Sequence, residues 1–398
     1  MAAAAAAATN AGGGGGGGGD PTLHVPSALL RQASFWASSG AADKLTRLVD
    51  TWRASSSSNK ASHFWSAFVT HAERTTERTP LHLAASAGHA DVVRLLVEKG
   101  AAWTALDSKG LCAAQLAEEN GHDEIVTYLL DAAVRSELVL GAAMRAMRGY
   151  DNDDAEGEAT TRDAPYLSHK LTFTETSILD EAGDAVMMAW EEPLMNLGAQ
   201  VACSSSSNST ETTCGSILNI GFGMGLVDTA IQSFHPTLHT IIEAHPDVYK
   251  RMLDAGWGNK PNVQIVFGRW QDELPKLGKF DGIYFDTYSE DYEDMRELHA
   301  ALPHHMNPEG VYSYFNGLAP NNEFFAAVYR EVCKLELGSL GFEVFFQPVS
   351  VQASPPDETS KSTWAELWSE VPSGRRYWHD GHVFYAPVCT FKGEPQDS

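Results

Sequence analysis

Residues 217–228 read ILNIGFGMGLVD, and this stretch decides the fold. Its first four residues are mostly apolar, as in a buried parallel strand, and the glycines at 221, 223 and 225 then turn the backbone into the start of a helix. Glycine reaches positive φ and lets a ligand approach the main chain. The helix would offer free N–H groups to something negatively charged. Taken alone, the pattern is equally that of an ordinary glycine-rich turn between a strand and a helix.

Three further apolar runs follow, each with polar residues at its carboxyl end. The first ends in Glu243, about 20 residues after the first glycine, where an acid that binds ribose hydroxyls is expected. The second is followed by Trp270 and Gln271, and the third by Asp286. Because the carboxyl ends of parallel strands meet at one crevice, we expect these side chains to converge with the glycine turn.

Composition sets limits on function. The chain has 398 residues, with 28 Lys and Arg against 52 Asp and Glu, which gives a formal net charge of −24. This balance disfavours sequence-independent nucleic-acid binding, and it suits a basic partner as well as simple solubility. The five cysteines are scattered and form no Cys-x-x-Cys pair, which predicts reduced thiols in a cytoplasmic or nuclear protein. No apolar run reaches about 18 residues, and no residue cluster has metal-ligand spacing.

An internal repeat occupies residues 79–133. Leu83 corresponds to Leu116 and Gly88 to Gly121, both at an offset of 33, and the first copy contains TPLHLA at residues 79–84. A 33-residue period with this motif is the ankyrin signature. Each copy is a helix pair whose apolar face only a neighbouring copy can cover. We therefore interpret the histidines of the repeat as structural hydrogen-bonding residues, namely His82, His89 and His122.

The predicted organisation has four parts. They are a disordered Ala/Gly tail at 1–26, an all-α ankyrin-repeat domain at 27–148, an acidic linker at 149–164 and an α/β domain at 165–398. The ankyrin part begins with a degenerate cap that carries a Ser-rich insertion at 55–58. In the last domain, strand 311–315 precedes a helix near 322–337 and two strands at 342–351 and 382–391 that are expected to pair antiparallel.

Five alternating strand–helix units that end in an antiparallel pair resemble a class I S-adenosylmethionine-dependent methyltransferase with a seven-stranded, doubly wound sheet. The acids at the ends of the second and fourth strands, without a P-loop lysine, fit this cofactor better than a dinucleotide. Four motifs resemble those of guanidinoacetate N-methyltransferase and of the fungal-type protein arginine N5 (δ) methyltransferase family. They are DAVMMAWEEPLM at 184–195, NIGFGMG at 219–225, IEAH at 242–245 and GIYFDTY at 282–288. An ankyrin-like segment occurs in the second family and not in the first.

The resemblance implies roles for individual residues. Glu191 and Asp286 would grip the guanidine, with Asp286 lying where the cofactor meets the substrate. Glu243 would hold the ribose hydroxyls of S-adenosylmethionine. The other cofactor contacts that it implies are Phe173, Met187, Met195, Gly221, Phe222, Gly223, Met224, Gly225, Leu226, Ala244, His245, Trp270 and Gln271.

The chemistry explains why acids are needed. A guanidinium is protonated at pH 7, and its nitrogens are then poor nucleophiles. Two carboxylates can hold the planar cation by paired charge-assisted hydrogen bonds, aim one nitrogen at the methyl group and take up a proton as the methyl moves. No metal and no covalent enzyme intermediate is required.

Each motif also has a purely structural interpretation. Residues 187–190 could be an apolar helix face, Glu191 an ordinary surface or helix-pairing acid, and Asp286 the N-cap of the next helix. Three functions therefore remain open. They are a protein arginine methyltransferase whose ankyrin repeats select a protein substrate, a small-molecule guanidine methyltransferase of the guanidinoacetate type, and an ankyrin scaffold that carries an inactive methyltransferase fold. The ankyrin repeats favour the first, and the acids disfavour the third.

Overall fold

The structure, a computed structural model, describes residues 25–54, 60–151, 164–205, 213–288, 292–351, 364–378 and 383–393. The Ala/Gly tail up to residue 24, the Ser-rich insertion and most of the predicted acidic linker lie outside these residues. The chain divides into two compact units. One contains residues 1–147 and 322–331, and the other contains residues 148–321 and 332–398.

The first unit is built from helices. They are α1 (Ser27–Ser38), α2 (Ala42–Ala54), α3 (Lys60–Val69), α4 (Pro80–Ser86), α5 (Ala90–Glu98), α6 (Ala113–Glu119) and α7 (Asp123–Asp151). α4 and α6 begin the two repeat copies, and their apolar residues Leu81 and Leu116 are buried. Repeats of this kind are stable because each helix pair covers the apolar face of its neighbour.

The histidines of the repeat make the structural contacts predicted for them. His82 Nδ1 accepts from the Thr79 N–H at 3.1 Å, and its Nε2 lies 3.1 Å from the carbonyl oxygen of Leu111. His89 Nε2 lies 3.0 Å from the Ser38 carbonyl oxygen. A Cβ added at Gly88 would lie 2.6 Å from the His122 ring, so that glycine and histidine pack directly together. The predicted role as structural hydrogen-bonding residues is confirmed for His82 and His89, whereas His122 packs against Gly88.

The second unit contains a seven-stranded sheet. Its strands are β4 (Ser216–Ile220), β5 (Leu238–Glu243), β6 (Val263–Phe267), β7 (Phe280–Phe285), β8 (Met306–Tyr314), β9 (Phe342–Ser350) and β10 (Val383–Phe391). Across the sheet they lie in the order β6-β5-β4-β7-β8-β10-β9. β4 to β8 are parallel, and β10 runs antiparallel to both β8 and β9. The class I methyltransferase sheet and its antiparallel edge pair are therefore confirmed.

Helices and a small second sheet complete this unit. The helices are α8 (Ala164–Ser168), α9 (Glu192–Ala202), α10 (Leu226–Ser233), α11 (Pro246–Asp254), α12 (Trp270–Glu273), α13 (Tyr292–His305), α14 (Glu323–Ser339, which the division between the units crosses) and α15 (Trp364–Ser369). An antiparallel meander precedes the large sheet, with β1 (Thr172–Phe173), β2 (Ser177–Leu179) and β3 (Ala185–Met188). Among the described helices, none is both long and apolar enough to cross a membrane.

The centre of the large sheet is buried on both faces. Ile217 and Leu218 of β4, and Ile283 and Tyr284 of β7, have almost no exposed surface. Parallel strands covered by helices on both sides are apolar nearly throughout, which is why the run before the glycine turn has no alternating pattern. This placement puts the ends of β4, β5 and β7 side by side at one edge of the sheet.

Candidate active site

A cavity opens at the carboxyl ends of β4, β5, β6 and β7. It encloses about 810 Å³ of space, its mouth to solvent included. Its wall consists of Tyr166, Leu167, Val186, Met187, Ile220, Gly221, Phe222, Gly223, Ile242, Glu243, Ala244, His245, Val248, Gly268, Arg269, Trp270, Gln271, Asp286, Thr287 and Tyr288. The wall is largely apolar and contains two carboxyl groups.

The glycine turn after β4 is packed against the neighbouring strand. Gly221 has a φ of +94°, and a Cβ at this position would lie 2.0 Å from the carbonyl oxygen of Asp286. Glycine is therefore required here by the backbone of the adjacent loop as well as by the turn. Gly223, with a φ of +54°, packs against the Met187 side chain. The Met187 sulfur accepts from the Met224 N–H at 3.2 Å.

A buried polar network fixes this turn from within. The Asn219 side-chain amide donates to the Gly221 carbonyl oxygen at 2.8 Å and to both carboxylate oxygens of Asp228 at 2.9 Å. His239 Nε2 lies 3.1 Å from Asp228, and Gln232 lies 2.9 Å from the other ring nitrogen. Burial raises the pKa of Asp228. Sequence analysis missed this network because its members lie on three different elements.

Glu243 is held at the end of β5 by main-chain donors. One carboxylate oxygen accepts from the Phe222 N–H of the glycine turn at 2.9 Å, and the other accepts from the His245 N–H at 2.6 Å. Burial raises the pKa of Glu243 to about 7, while these backbone hydrogen bonds act in the opposite direction. The carboxylate thus lies in a fixed orientation in the cavity wall, next to the turn.

An aromatic wall faces these groups. Tyr166 of α8 packs against His245 and Tyr288, with ring centroids 5.0 and 4.9 Å apart. His245 Nε2 lies 3.1 Å from the carbonyl oxygen of His169, which ties the segment after α8 to the start of α11. Neither Tyr166 nor Tyr288 was predicted as a site residue, although Tyr288 belongs to the GIYFDTY motif and could have been found from it.

The cavity brings together most of the residues predicted to contact the cofactor. Those in its wall are Met187, Gly221, Phe222, Gly223, Glu243, Ala244, His245, Trp270, Gln271 and Asp286. The others, Phe173, Met195, Met224, Gly225 and Leu226, are outside the wall. Phe173 packs under the guanidinium of Arg251 at 4.9 Å, and the Met195 sulfur accepts from the Tyr284 hydroxyl at 3.7 Å.

The predicted acceptor acids lie within electrostatic range of each other. Asp286 lines the cavity, and within the part of the chain that the structure describes no hydrogen bond reaches its carboxylate. Burial, and then the charge of Asp228, raise its pKa to about 7. Glu191 is only 3% exposed, and burial followed by the charge of Asp286 raises its pKa to about 8. Glu191 lies outside the cavity wall, and its Oε1 accepts from the Met188 N–H at 2.7 Å and from the Tyr377 hydroxyl.

The simpler structural interpretations of these acids do not hold. Glu191 is buried, so it is not a surface acid. α13 begins at Tyr292, six residues after Asp286, so Asp286 is not its N-cap. Residues 187–190 lie in β3 and the following 3₁₀ turn and do not form a face of an α-helix. Among the described residues, no three His, Cys, Asp or Glu side chains come together in a way that could hold a metal ion.

Known proteins share both parts of the chain. The family model of guanidinoacetate N-methyltransferase matches residues 156–338, and that of ankyrin repeats (3 copies) matches residues 45–138. A protein named protein arginine N-methyltransferase 2 from Candida glabrata is 33% identical over 81% of this chain and 86% of its own length. The proteins of the same name from Saccharomyces cerevisiae and Kluyveromyces lactis are 31% and 34% identical, over 80% and 74% of this chain and 84% and 78% of their own lengths.

The two family models together cover the repeats and every residue of the cavity wall. The relatives are matched over most of their own length, so the similarity is not confined to one domain. The chain therefore belongs to the protein arginine N-methyltransferase 2 family.

Proposed function

We propose that this protein transfers a methyl group from S-adenosylmethionine to a guanidino nitrogen of arginine in a protein substrate, and that the δ nitrogen is the acceptor. The observation that carries the proposal is the pair of acids Glu191 and Asp286, of which the first is buried and the second is half-buried in the cavity wall. Their surroundings raise the pKa of both, and Asp286 lies beside the glycine turn. Carboxyl groups with raised pKa values in a cavity are typical of functional sites, and a bound cation would compensate their charge.

The cavity wall fits the proposed donor. The Glu243 carboxylate, oriented by two main-chain N–H groups, would hold ribose hydroxyls, and Ile242, Ala244 and Trp270 offer apolar surface for adenine. Residues 221–223 and Met187 would lie along the amino-acid part. When bound, S-adenosylmethionine supplies a sulfonium-activated methyl group for in-line displacement by the acceptor nitrogen.

The two acids would act on the acceptor. Asp286 and Glu191 in their ionised forms hold the guanidinium fork and fix one nitrogen toward the donor. One of the carboxylates takes the proton that this nitrogen loses as the N–C bond forms. Because the guanidinium stabilises the ionised acids, substrate binding lowers the same pKa values that burial has raised.

A protein substrate is favoured over a small molecule by the ankyrin repeats. Such repeats offer extended surfaces for protein contacts, and the overall charge of −24 suits a basic partner. A small-molecule guanidine methyltransferase is the second candidate, since residues 156–338 match the guanidinoacetate N-methyltransferase model.

An acceptor assay separates these functions. The enzyme is incubated with S-[methyl-³H]adenosylmethionine and either a basic-protein extract or guanidinoacetate, with Asp286→Asn as the inactive control. We expect label in protein, and fragment-ion mass spectrometry should place the methyl group on the internal nitrogen of arginine. Label in guanidinoacetate alone would contradict the protein substrate, and label on terminal guanidino nitrogens alone would contradict the δ assignment.

The pKa values of the acids predict the pH dependence of the reaction. We expect kcat/KM for the acceptor to rise with pH and to level off above about pH 9, because protonated Asp286 and Glu191, with pKa values of about 7 and 8, cannot hold a cation. The profile is measured from pH 5.5 to 9.5 with the donor at saturation. The sulfonium of the bound donor favours the ionised acids, so it shifts the rise in kcat/KM to lower pH. A kcat/KM that falls as the pH increases from 6 to 8 would contradict the role of the acids.

A further inference from the structure

A C-terminal aromatic segment, residues 364–378, packs around Glu191. Tyr377 lies against Trp368 and Trp190, with ring centroids 4.9 and 5.8 Å away. Trp190 immediately precedes Glu191, and its ring also meets Trp364 at 5.1 Å. These aromatic rings belong to one apolar cluster that β3 and β10 complete.

The segment is held in place by polar contacts with the β1–β3 meander. The Arg375 guanidinium donates to the Asp184 carboxylate at 2.6 Å. The Ser373 N–H donates to the Gly183 carbonyl oxygen at 3.2 Å, and Glu370 accepts from the Thr176 hydroxyl at 3.1 Å. The position of Tyr377 is therefore fixed by the packing of its ring and by the hydrogen bonds of the residues that precede it.

The Tyr377 hydroxyl donates to Oε1 of Glu191, the same oxygen that accepts from the Met188 N–H. In the portion of the chain that is described, both hydrogen bonds to this carboxylate go to Oε1. The second oxygen is left for another donor, such as a guanidinium N–H. A carboxylate held through one oxygen keeps a fixed orientation for the other, which is what paired recognition of a planar cation needs.

Among the residues that the structure describes, three groups that interact with Glu191 can carry charge. Tyr284 lies on β7, Asp286 directly follows this strand, and Tyr377 belongs to the C-terminal segment. The pKa of Tyr284 and of Tyr377 is raised well above its ordinary value by burial, so both phenols remain protonated. Tyr377 is therefore a permanent donor, and its hydrogen bond favours the ionised form of Glu191, against the effects of burial and of Asp286.

We propose that Tyr377 is a positioning residue of the acceptor site, which orients the Glu191 carboxylate by a hydrogen bond to its Oε1 and favours its ionised form. This inference rests on the proposed role of Glu191 in holding the guanidinium. Tyr377 lies beyond residues 156–338, the region that matches the guanidinoacetate N-methyltransferase model, so the C-terminal segment adds this donor to the shared part of the site.

The test is Tyr377→Phe, which removes only the hydroxyl. Tyr249→Phe is the matched control, because Tyr249 is also partly buried and packs against Phe267 away from the cavity wall. The pKa of Glu191 is followed by infrared titration of its protonated carboxyl band, identified by its loss in Glu191→Gln. We expect the midpoint in Tyr377→Phe to rise by about one pH unit, since two or three hydrogen bonds can lower a carboxyl pKa by about two units.

Activity provides the second readout. At pH 7 the kcat/KM of Tyr377→Phe for the acceptor should fall about tenfold, and most of the loss should disappear at pH 9, where about half of Glu191 is ionised even without the hydroxyl. Donor affinity, measured by calorimetry, should stay unchanged. A purely structural role would lower activity equally at all pH values.

The infrared result separates this inference from the proposed function. A raised midpoint supports the Tyr377 contact even if no arginine acceptor is found. An unchanged midpoint, or a loss of activity that is the same at pH 7 and pH 9, overturns the inference, while the acceptor assay still decides the function.

Discussion

Asp286→Asn is expected to lower kcat/KM for the guanidino acceptor by about a thousandfold while the protein stays folded. The side chain lines the cavity, and in the described part of the chain its carboxylate has no hydrogen-bond partner that the substitution would disrupt. The amide keeps the shape but carries no charge to hold a guanidinium. Steady-state kinetics with a methylated-protein readout gives the measurement.

A surface carboxylate provides the control for this substitution. Asp254→Asn removes an exposed acid that pairs with Lys250 on the same helix, at 2.8 Å, and it should leave kcat/KM unchanged. Retention of wild-type activity by Asp286→Asn would remove Asp286 from the acceptor site.

Stability offers an independent check on Asp286. The pKa of Asp286 is raised to about 7 in the folded protein, so between about pH 4 and 7 the folded state binds more protons than the unfolded chain. The contribution of Asp286 to the free energy of unfolding therefore becomes less favourable as the pH rises through this range. Asp286→Asn removes this penalty, so its Tm should exceed that of the wild type at pH 8 and approach it at pH 4. A lower Tm at pH 8 would show that the acid is a structural residue.

Gly221→Ala is expected to abolish donor binding and to destabilise the second unit. The new Cβ would lie 2.0 Å from the Asp286 carbonyl oxygen, and the φ of +94° is strained for any other residue. Overpacking against backbone and positive φ together cost about 3 kcal/mol or more. The clash with the Asp286 carbonyl oxygen can be relieved only if the loop that carries Asp286 moves. The donor site and the acceptor site are therefore lost together. Calorimetric titration with S-adenosylmethionine and thermal unfolding measure both effects.

Gly278→Ala is the matched control for this prediction. Gly278 lies in the loop before β7, where an added Cβ would meet no described atom within 4 Å. The Gly278→Ala variant should therefore bind the donor like the wild type. Gly223→Ala should be milder than Gly221→Ala, because its Cβ would meet the flexible Met187 side chain at 2.5 Å. Unchanged donor affinity in Gly221→Ala would show that the turn can shift without harm.

Local sequence was sufficient for the parts of the site that depend on strand ends. The glycine turn, Glu243 and Asp286 each directly follow an apolar run, and parallel strands bring their carboxyl ends to one edge. The 33-residue repeat likewise predicted that His82 is a structural hydrogen-bonding residue, because the motif that contains it is part of the ankyrin signature. The assignment of Glu191 and of most cofactor residues depended on resemblance to known families.

Other features depended on contacts between distant parts of the chain. Tyr377 reaches Glu191 across 186 positions of sequence, and Tyr166 enters the cavity wall from a five-residue helix that no motif marks. The network of Asn219, Asp228 and His239 forms only when β4, α10 and β5 pack together. No periodicity encodes such pairs.

The sequence alone thus predicted the ankyrin repeats, the succession of strands that form the large sheet, and the edge of that sheet where the site lies, because hydrophobic period and glycine turns are local properties of the chain. The β1–β3 meander, the burial of Glu191, the donor that each carboxylate meets and the reason why Gly221 admits no side chain became visible only in the folded chain. The pKa of an acid and the room around a backbone atom depend on neighbours that folding brings from far along the chain.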